Sequence, residues 1–210
     1  KPESRVVTRQ IWTGAQVAYF AANSPDGRLL SFADQMTGNL AVHDLLTGND
    51  RPLTGKSGWN ESDEFAEYST FSPDGKRVAY AWFNKGRYDL RVVAMEPSGS
   101  SPRILYANDD VEWIAPTDWS ADGRWIAVNL ERKYGSTQIG LINATDGALR
   151  VLTSVEWSSS SRSRFSPDSR HLAFSKPDRE GSLQRDVYVM AIDGSREIPV
   201  VVHPANDLAV

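Results

Sequence analysis

The sequence predicts an all-β fold assembled from repeated four-stranded antiparallel units, and three observations carry that expectation. The first is an internal repeat. Phe71-Ser-Pro-Asp-Gly-Lys-Arg-Val-Ala-Tyr80 recurs as Asn23-Ser-Pro-Asp-Gly-Arg-Leu-Leu-Ser-Phe32, Trp119-Ser-Ala-Asp-Gly-Arg-Trp-Ile-Ala-Val128 and Phe165-Ser-Pro-Asp-Ser-Arg-His-Leu-Ala-Phe174. The second is the period: the leading serines Ser24, Ser72, Ser120 and Ser166 lie 48, 48 and 46 residues apart. The third is the pattern inside each copy, short apolar runs between turn residues with no helical periodicity. Such a period is too long for most helical solenoids and suits a β-propeller blade of roughly 40–50 residues.

The elements of one unit follow in order. In Ser-Pro-Asp-Gly, proline presets φ, Asp bonds its own backbone and Gly accepts positive φ, so the motif is a tight turn between strands a and b. The aromatic before it (Phe71, Trp119 or Phe165) occupies a core slot. An alternating strand b follows, as in Arg77-Val-Ala-Tyr-Ala81. After a variable loop comes an apolar strand c at 40–45, 90–95, 139–142 and 187–192, closed by Gly48, Gly99, Gly147 or Gly194. A short strand d opens on arginine at 51–54, 103–106, 150–153 and 196–200.

This predicts a single β-propeller domain over 1–210, with blades at 15–55, 56–107, 108–154 and 155–210. Residues 5–12 read as the outer strand of a neighbouring blade, giving residues 1–14 to that blade. The strand count therefore predicts part of a larger propeller of five or six blades, or a homo-oligomer closing through open edges, with a compact four-blade closure and one spare strand as the alternative. Unpaired sheet edges invite such pairing. The chain opens on Lys1 rather than Met, which predicts a removed leader or a piece of a longer protein.

Bulk composition excludes several classes. Net charge is −4, which offers no basic face for nucleic acid and no polybasic membrane anchor. No apolar run is long enough for a transmembrane helix, so no membrane insertion is expected. The chain has no cysteine, which removes disulfides, Cys-based zinc sites and thiol catalysis and leaves the compartment open.

The chemical motifs are sparse. Thr54-Gly-Lys-Ser57 suggests a phosphate loop, but the required upstream glycine is Asp50, so a surface turn is expected. No Gly-x-Ser-x-Gly elbow is present. His43, His171 and His203 show no metal-ligand spacing, and each fits an ordinary strand or edge position. No enzyme activity and no cofactor are expected. Glu61, Asp63, Glu64 and Glu67 form an acidic run that could hold calcium weakly, although a solvated loop is the plainer reading.

Strand a is innermost in a propeller, so it supplies the channel. Counting back two residues from each turn serine gives Ala22, Thr70, Asp118 and Arg164. Counting back three gives Ala21, Ser69, Thr117 and Ser163, small residues that suit a crowded axis. Asp118 and Arg164 are expected within reach across the channel, with Arg162 and Glu67 near one rim. These four make either a structural ion-pair group or a polar mouth for a ligand or peptide. Trp119 belongs to the core. Trp59, Trp82 and Trp157 are expected in loops, as anchors or as interface aromatics.

The Ser-Pro-Asp-Gly units, the Asp-Val-Tyr-Val-Met run at 186–190 and the Arg-x-Leu-Thr endings resemble the TolB-type, WD-like β-propeller repeat over nearly the whole chain. Departures are Asn23 for the aromatic, Ala121 for proline and Ser169 for glycine, a turn expected to be strained or of another type. The acidic end of strand c survives only as Asp44, against Ala94, Asn143 and Ala191. The resemblance implies a bacterial, non-catalytic scaffold with a protein or peptide partner at the channel mouth. It also implies a periplasmic or extracellular location, with the cytoplasm as alternative. Similar propellers gate prolyl-oligopeptidase-type hydrolases or serve as sensor domains of larger signalling proteins, and both remain open.

Overall fold

A computed structural model describes residues 10, 12–13, 20–55, 63–96, 101–156, 162–177, 179–182, 184–202 and 207. Among these, sixteen strands form four antiparallel sheets of four strands each. The first blade holds β1 (Ala22–Asn23), β2 (Leu29–Ala33), β3 (Leu40–Asp44) and β4 (Asp50–Pro52). The second holds β5 (Phe65–Phe71), β6 (Arg77–Asn84), β7 (Arg87–Ala94) and β8 (Arg103–Tyr106). The third holds β9 (Val111–Trp119), β10 (Trp125–Arg132), β11 (Thr137–Asn143) and β12 (Leu149–Val155). The fourth holds β13 (Ser163–Phe165), β14 (His171–Pro177), β15 (Arg185–Ala191) and β16 (Glu197–Val201). Strands pair in chain order within every blade. The inner strands pack in succession, β1 on β5, β5 on β9 and β9 on β13.

The hydrophobic core lies between blades, in three layers. Leu40 and Val42 of the first blade meet Val78, Tyr80 and Trp82 of the second. Leu90, Val92 and Leu105 of the second meet Ile114, Ile126 and Val128 of the third. Leu141 and Ala127 of the third meet Leu172, Phe174 and Met190 of the fourth. Alternate residues of β6 thus face opposite neighbours: Val78, Tyr80 and Trp82 one way, Ala79 and Ala81 the other. The run at 78–82 is buried throughout, as a strand covered on both faces must be. Trp82 is therefore a core residue of β6 and not a loop aromatic, with the Arg91 guanidinium 5.0 Å from its ring. Trp59 and Trp157 lie outside the described residues, as do the residues from 5 to 9 of the expected leading strand. Trp12 stacks on His43 at 4.3 Å and stands edge-on to Phe32, covering the outer face of the first blade. His43, buried under that ring, bonds Asp50 through Nδ1 at 2.6 Å.

The repeated turn has one construction. In the second blade the Arg77 N–H donates to Ser72 Oγ at 2.9 Å, and Ser72 Oγ donates to Asp74 Oδ1 at 2.5 Å. Asp74 also accepts the Lys76 N–H, and the Gly75 N–H closes the turn on the Ser72 carbonyl at 2.8 Å. Ser24, Ser120 and Ser166 repeat the arrangement. Ser169 makes the same turn at φ 59°, in the left-handed region that its missing glycine would have entered freely. Its hydroxyl accepts the Asp122 N–H of the third blade at 3.1 Å, a bond glycine could not make.

Strand d carries a second device. Arg103 at the start of β8 donates to the Ala144 and Thr145 carbonyls in the turn between β11 and β12. Arg150 of β12 donates to the Ile192 carbonyl just after β15. Each of these two blades thereby grips the outer turn of the next. At the end of strand c, Asn143 makes in the third blade the bonds that Asp44 makes in the first. Asp44 Oδ1 accepts the Leu46 and Thr47 N–H groups, and Asn143 Oδ1 accepts those of Thr145 and Asp146. β16, at the far edge, exposes Ile198, Val200 and Val201.

Candidate functional site

Hydroxyl side chains link the inner strands to neighbouring blades. Ser69 of β5 pairs with Ser31 of β2 at 2.7 Å, and Thr117 of β9 pairs with Ser163 of β13 at 2.5 Å. Ser69, Thr117 and Ser163 are residues counted back three from the turn serine, where small size lets blades approach. Both β5 and β9 carry a bulge on this stretch, with Tyr68 and Thr117 as the extra residues. Tyr68 sits at φ 26°, a strained conformation for a residue with a Cβ.

The inner strands enclose a cavity of about 620 Å3. Its lining takes in consecutive residues of strand a, Ala21, Ser69 and Thr117 among them. The residues counted back two, Ala22, Thr70, Asp118 and Arg164, all line it. So do those counted back four, Phe20, Tyr68, Pro116 and Arg162. The bulges at Tyr68 and Thr117 break the strand alternation there, so neighbouring residues reach the same cavity. Three of the four residues expected at the channel, Asp118, Arg162 and Arg164, therefore share one cavity.

Their bonding differs from the expected ion pair. Asp118 is held by main chain: Oδ1 accepts the Trp119 N–H at 2.9 Å and Oδ2 accepts the Phe165 N–H at 2.8 Å. Arg164 donates to the carbonyls of Thr117 and Ser163. The acid and the base are on adjacent strands, and each satisfies the neighbouring blade's backbone in place of its partner. Burial pushes the Asp118 pKa up, against the two N–H bonds and a weaker attraction from Arg164.

Glu67 stands behind the cavity wall rather than in it. Its carboxylate accepts the Tyr88 hydroxyl at 3.0 Å and the Trp113 side chain. Trp113 in turn lines the cavity, edge-on to Tyr68 at 5.2 Å, while Tyr68 packs on Phe20 at 4.4 Å. Burial raises the Glu67 pKa above its ordinary 4.5. The folded state then binds this proton more tightly than the unfolded chain does. The stabilisation is complete below about pH 4.5 and is lost as pH rises through the folded value. Glu67→Gln keeps an acceptor for Tyr88 and Trp113 and removes the buried charge. It is expected to melt higher than the parent at neutral pH and at the same temperature near the bottom of that window. Paired thermal melts across the acidic range check this, and an advantage independent of pH would contradict it.

Of the calcium candidates, Glu61 lies outside the described residues, and Asp63 and Glu64 lead into β5. Among the described residues no group of three or more His, Asp or Glu side chains is placed to hold a metal ion. Lys56 and Ser57 of the Thr-Gly-Lys-Ser stretch and His203 also lie outside the described residues.

Tyr68, Trp113 and Arg185 are among the cavity residues that escaped the sequence reading. Tyr68 lies four residues before its turn serine, as Phe20, Pro116 and Arg162 do before theirs, so the repeat frame reaches it by counting. Arg185 opens β15 and approaches the cavity from strand c, a placement that no repeat position announces.

Four consecutive four-stranded blades around a polar, arginine-bearing channel define a β-propeller domain. The family model for the TolB beta propeller domain matches residues 59–207. The chain belongs to that family. A curated relative, the Tol-Pal system protein TolB of Anaeromyxobacter dehalogenans, is 33% identical over 154 residues, covering 70% of this chain and 32% of the relative. The crystal structure of TolB from Acinetobacter baumannii superposes with a TM-score of 0.72 at 22% identity, covering 93% of this chain and 46% of that one. The propeller domain of the Trilobed protease from Pyrococcus furiosus, described as an open velcro topology, gives a TM-score of 0.57 at 16% identity over 87% of this chain and 56% of that one. The chain thus spans about a third to a half of these two TolB relatives.

Proposed function

We propose that this propeller is a non-catalytic binding module of the bacterial periplasm that takes a protein or peptide partner at the cavity on its inner strands. The observation that carries this reading is the cavity wall. Tyr68, Trp113 and arginines line a pocket of about 620 Å3, and these are the residue types that dominate protein-binding hot spots. The kinship with a Tol-Pal system protein supports a protein partner and a periplasmic setting. The carboxylate of the cavity, Asp118, has both oxygens on main-chain N–H groups, which suits a structural role better than proton transfer.

Two assays on the isolated chain test it. An immobilised array of short random-sequence peptides is expected to yield bound members that Tyr68→Ala no longer retains. Panels of ester, lactone and peptide substrates are expected to show no turnover, with Asp118→Ala plus Arg164→Ala changing stability or binding alone. Turnover that this double variant abolishes would overturn the reading.

A further inference from the structure

We propose that the cavity selects a carboxylate-bearing peptide segment, gripped by Arg164 and Arg185 with Arg162 at the mouth, and seated against the Phe20–Tyr68–Trp113 wall. This rests on the binding reading above and adds the chemistry of the ligand. The first support is a local inversion of charge. The chain carries a net −4, yet among the described residues the ionisable side chains lining the cavity are three arginines and Asp118, apart from the Tyr68 phenol. Opposed charge in a concave site concentrates an anionic ligand. The second is that both oxygens of Asp118 are engaged by main chain. Its oxygens already accept the Trp119 and Phe165 N–H groups, from its own strand and from the next blade.

The third support is preorganisation. Arg164 reaches the Thr117 and Ser163 carbonyls through a single nitrogen, Nη1. That contact fixes the guanidinium plane at the cavity wall. A planar guanidinium with two donors side by side matches a carboxylate in a way an ammonium does not. Arg185 enters from β15, half-buried, and lines the cavity together with Ser175 of β14. The fourth is the apolar wall. Phe20 packs on Tyr68, and Tyr68 stands edge-on to Trp113, with ring centroids 4.4 and 5.2 Å apart. Rings set at angles to one another form a slot for an apolar side chain rather than parallel plates for a sugar ring. Acidic and apolar residues adjacent in one extended segment meet both features.

The same peptide array provides the test, read for composition. Bound members are expected to be enriched in Asp and Glu, and replacing those residues by Asn and Gln should weaken binding by about tenfold in solution. Arg185→Gln should weaken acidic peptides by a similar factor and leave their amide versions unchanged. Raising salt should weaken acidic peptides more than amide ones. Should Arg185→Gln fail to fold, Arg162→Gln and the salt series give the same reading. Peptides that bind through Tyr68 without acidic preference would overturn this inference and leave the binding reading intact. No peptide bound at all would overturn both. Binding of an acidic oligosaccharide probe, oligogalacturonate, where acidic peptides fail would assign the arginines to a sugar acid and also overturn it.

Discussion

Gly147→Ala is expected to destabilise the protein by about 3 kcal/mol or more, combining a strained left-handed conformation with a steric overlap. Gly147 sits at φ 77° in the turn between β11 and β12. A Cβ there would lie 2.0 Å from the Leu105 carbonyl oxygen of the preceding blade, a rigid main-chain atom. Either the turn or the blade interface must move. Gly48 is the control, because it occupies the corresponding turn of the first blade at φ 74°, and a methyl added there would meet nothing within 4 Å. Gly48→Ala should cost about 1–2 kcal/mol, the conformational strain alone. Denaturant unfolding of both variants separates the two contributions. Equal costs would show that the approach of the second and third blades is not tight at this point.

Trp119→Ala should cost about 3–5 kcal/mol, and Trp119→Phe much less. The indole is buried, donates from Nε1 to the Gly123 carbonyl at 3.2 Å, and lies 5.0 Å from the Arg77 guanidinium of the second blade. Phe71 and Phe165 hold the equivalent slot in other blades, so the backbone already accommodates a phenyl ring there. The Phe variant should lose the hydrogen bond and part of the cation–π attraction, about 1–2 kcal/mol together. Urea unfolding of the two variants decides the matter. A Phe variant as unstable as the Ala variant would mean that the polar contacts outweigh the ring's volume.

The architecture was legible because the repeat writes its turn chemistry four times. Ser, Asp and Gly each have a separate hydrogen bond or φ to satisfy, so the turn leaves a signature even where Ala121 or Ser169 departs from it. The channel was half legible. Counting back two from the turn serine located Asp118 and Arg164, and counting back four would have added Tyr68, although its bulge breaks the alternation of the strand. The bonding was not legible. Asp118 and Arg164 carry opposite charges on adjacent strands, but sequence does not reveal that unsatisfied main-chain groups of the next blade lie nearer than the opposite charge. Trp82 was misplaced for a related reason. A strand covered on both faces loses the alternation that separates core from surface, and its end then looks like a loop. Arg185 lies in strand c of one blade, where the repeat frame is silent about the channel.

The hold that Arg103 and Arg150 take on the following blade is directed at carbonyl oxygens, which every residue supplies. Such a joint places no demand on the neighbour's side chains at that point. Units joined this way can drift apart in sequence, or be gained and lost by tandem duplication, while the joint still fits. The number of blades then becomes an easily varied evolutionary quantity, and selection on identity can concentrate on the few inward positions where a partner is recognised.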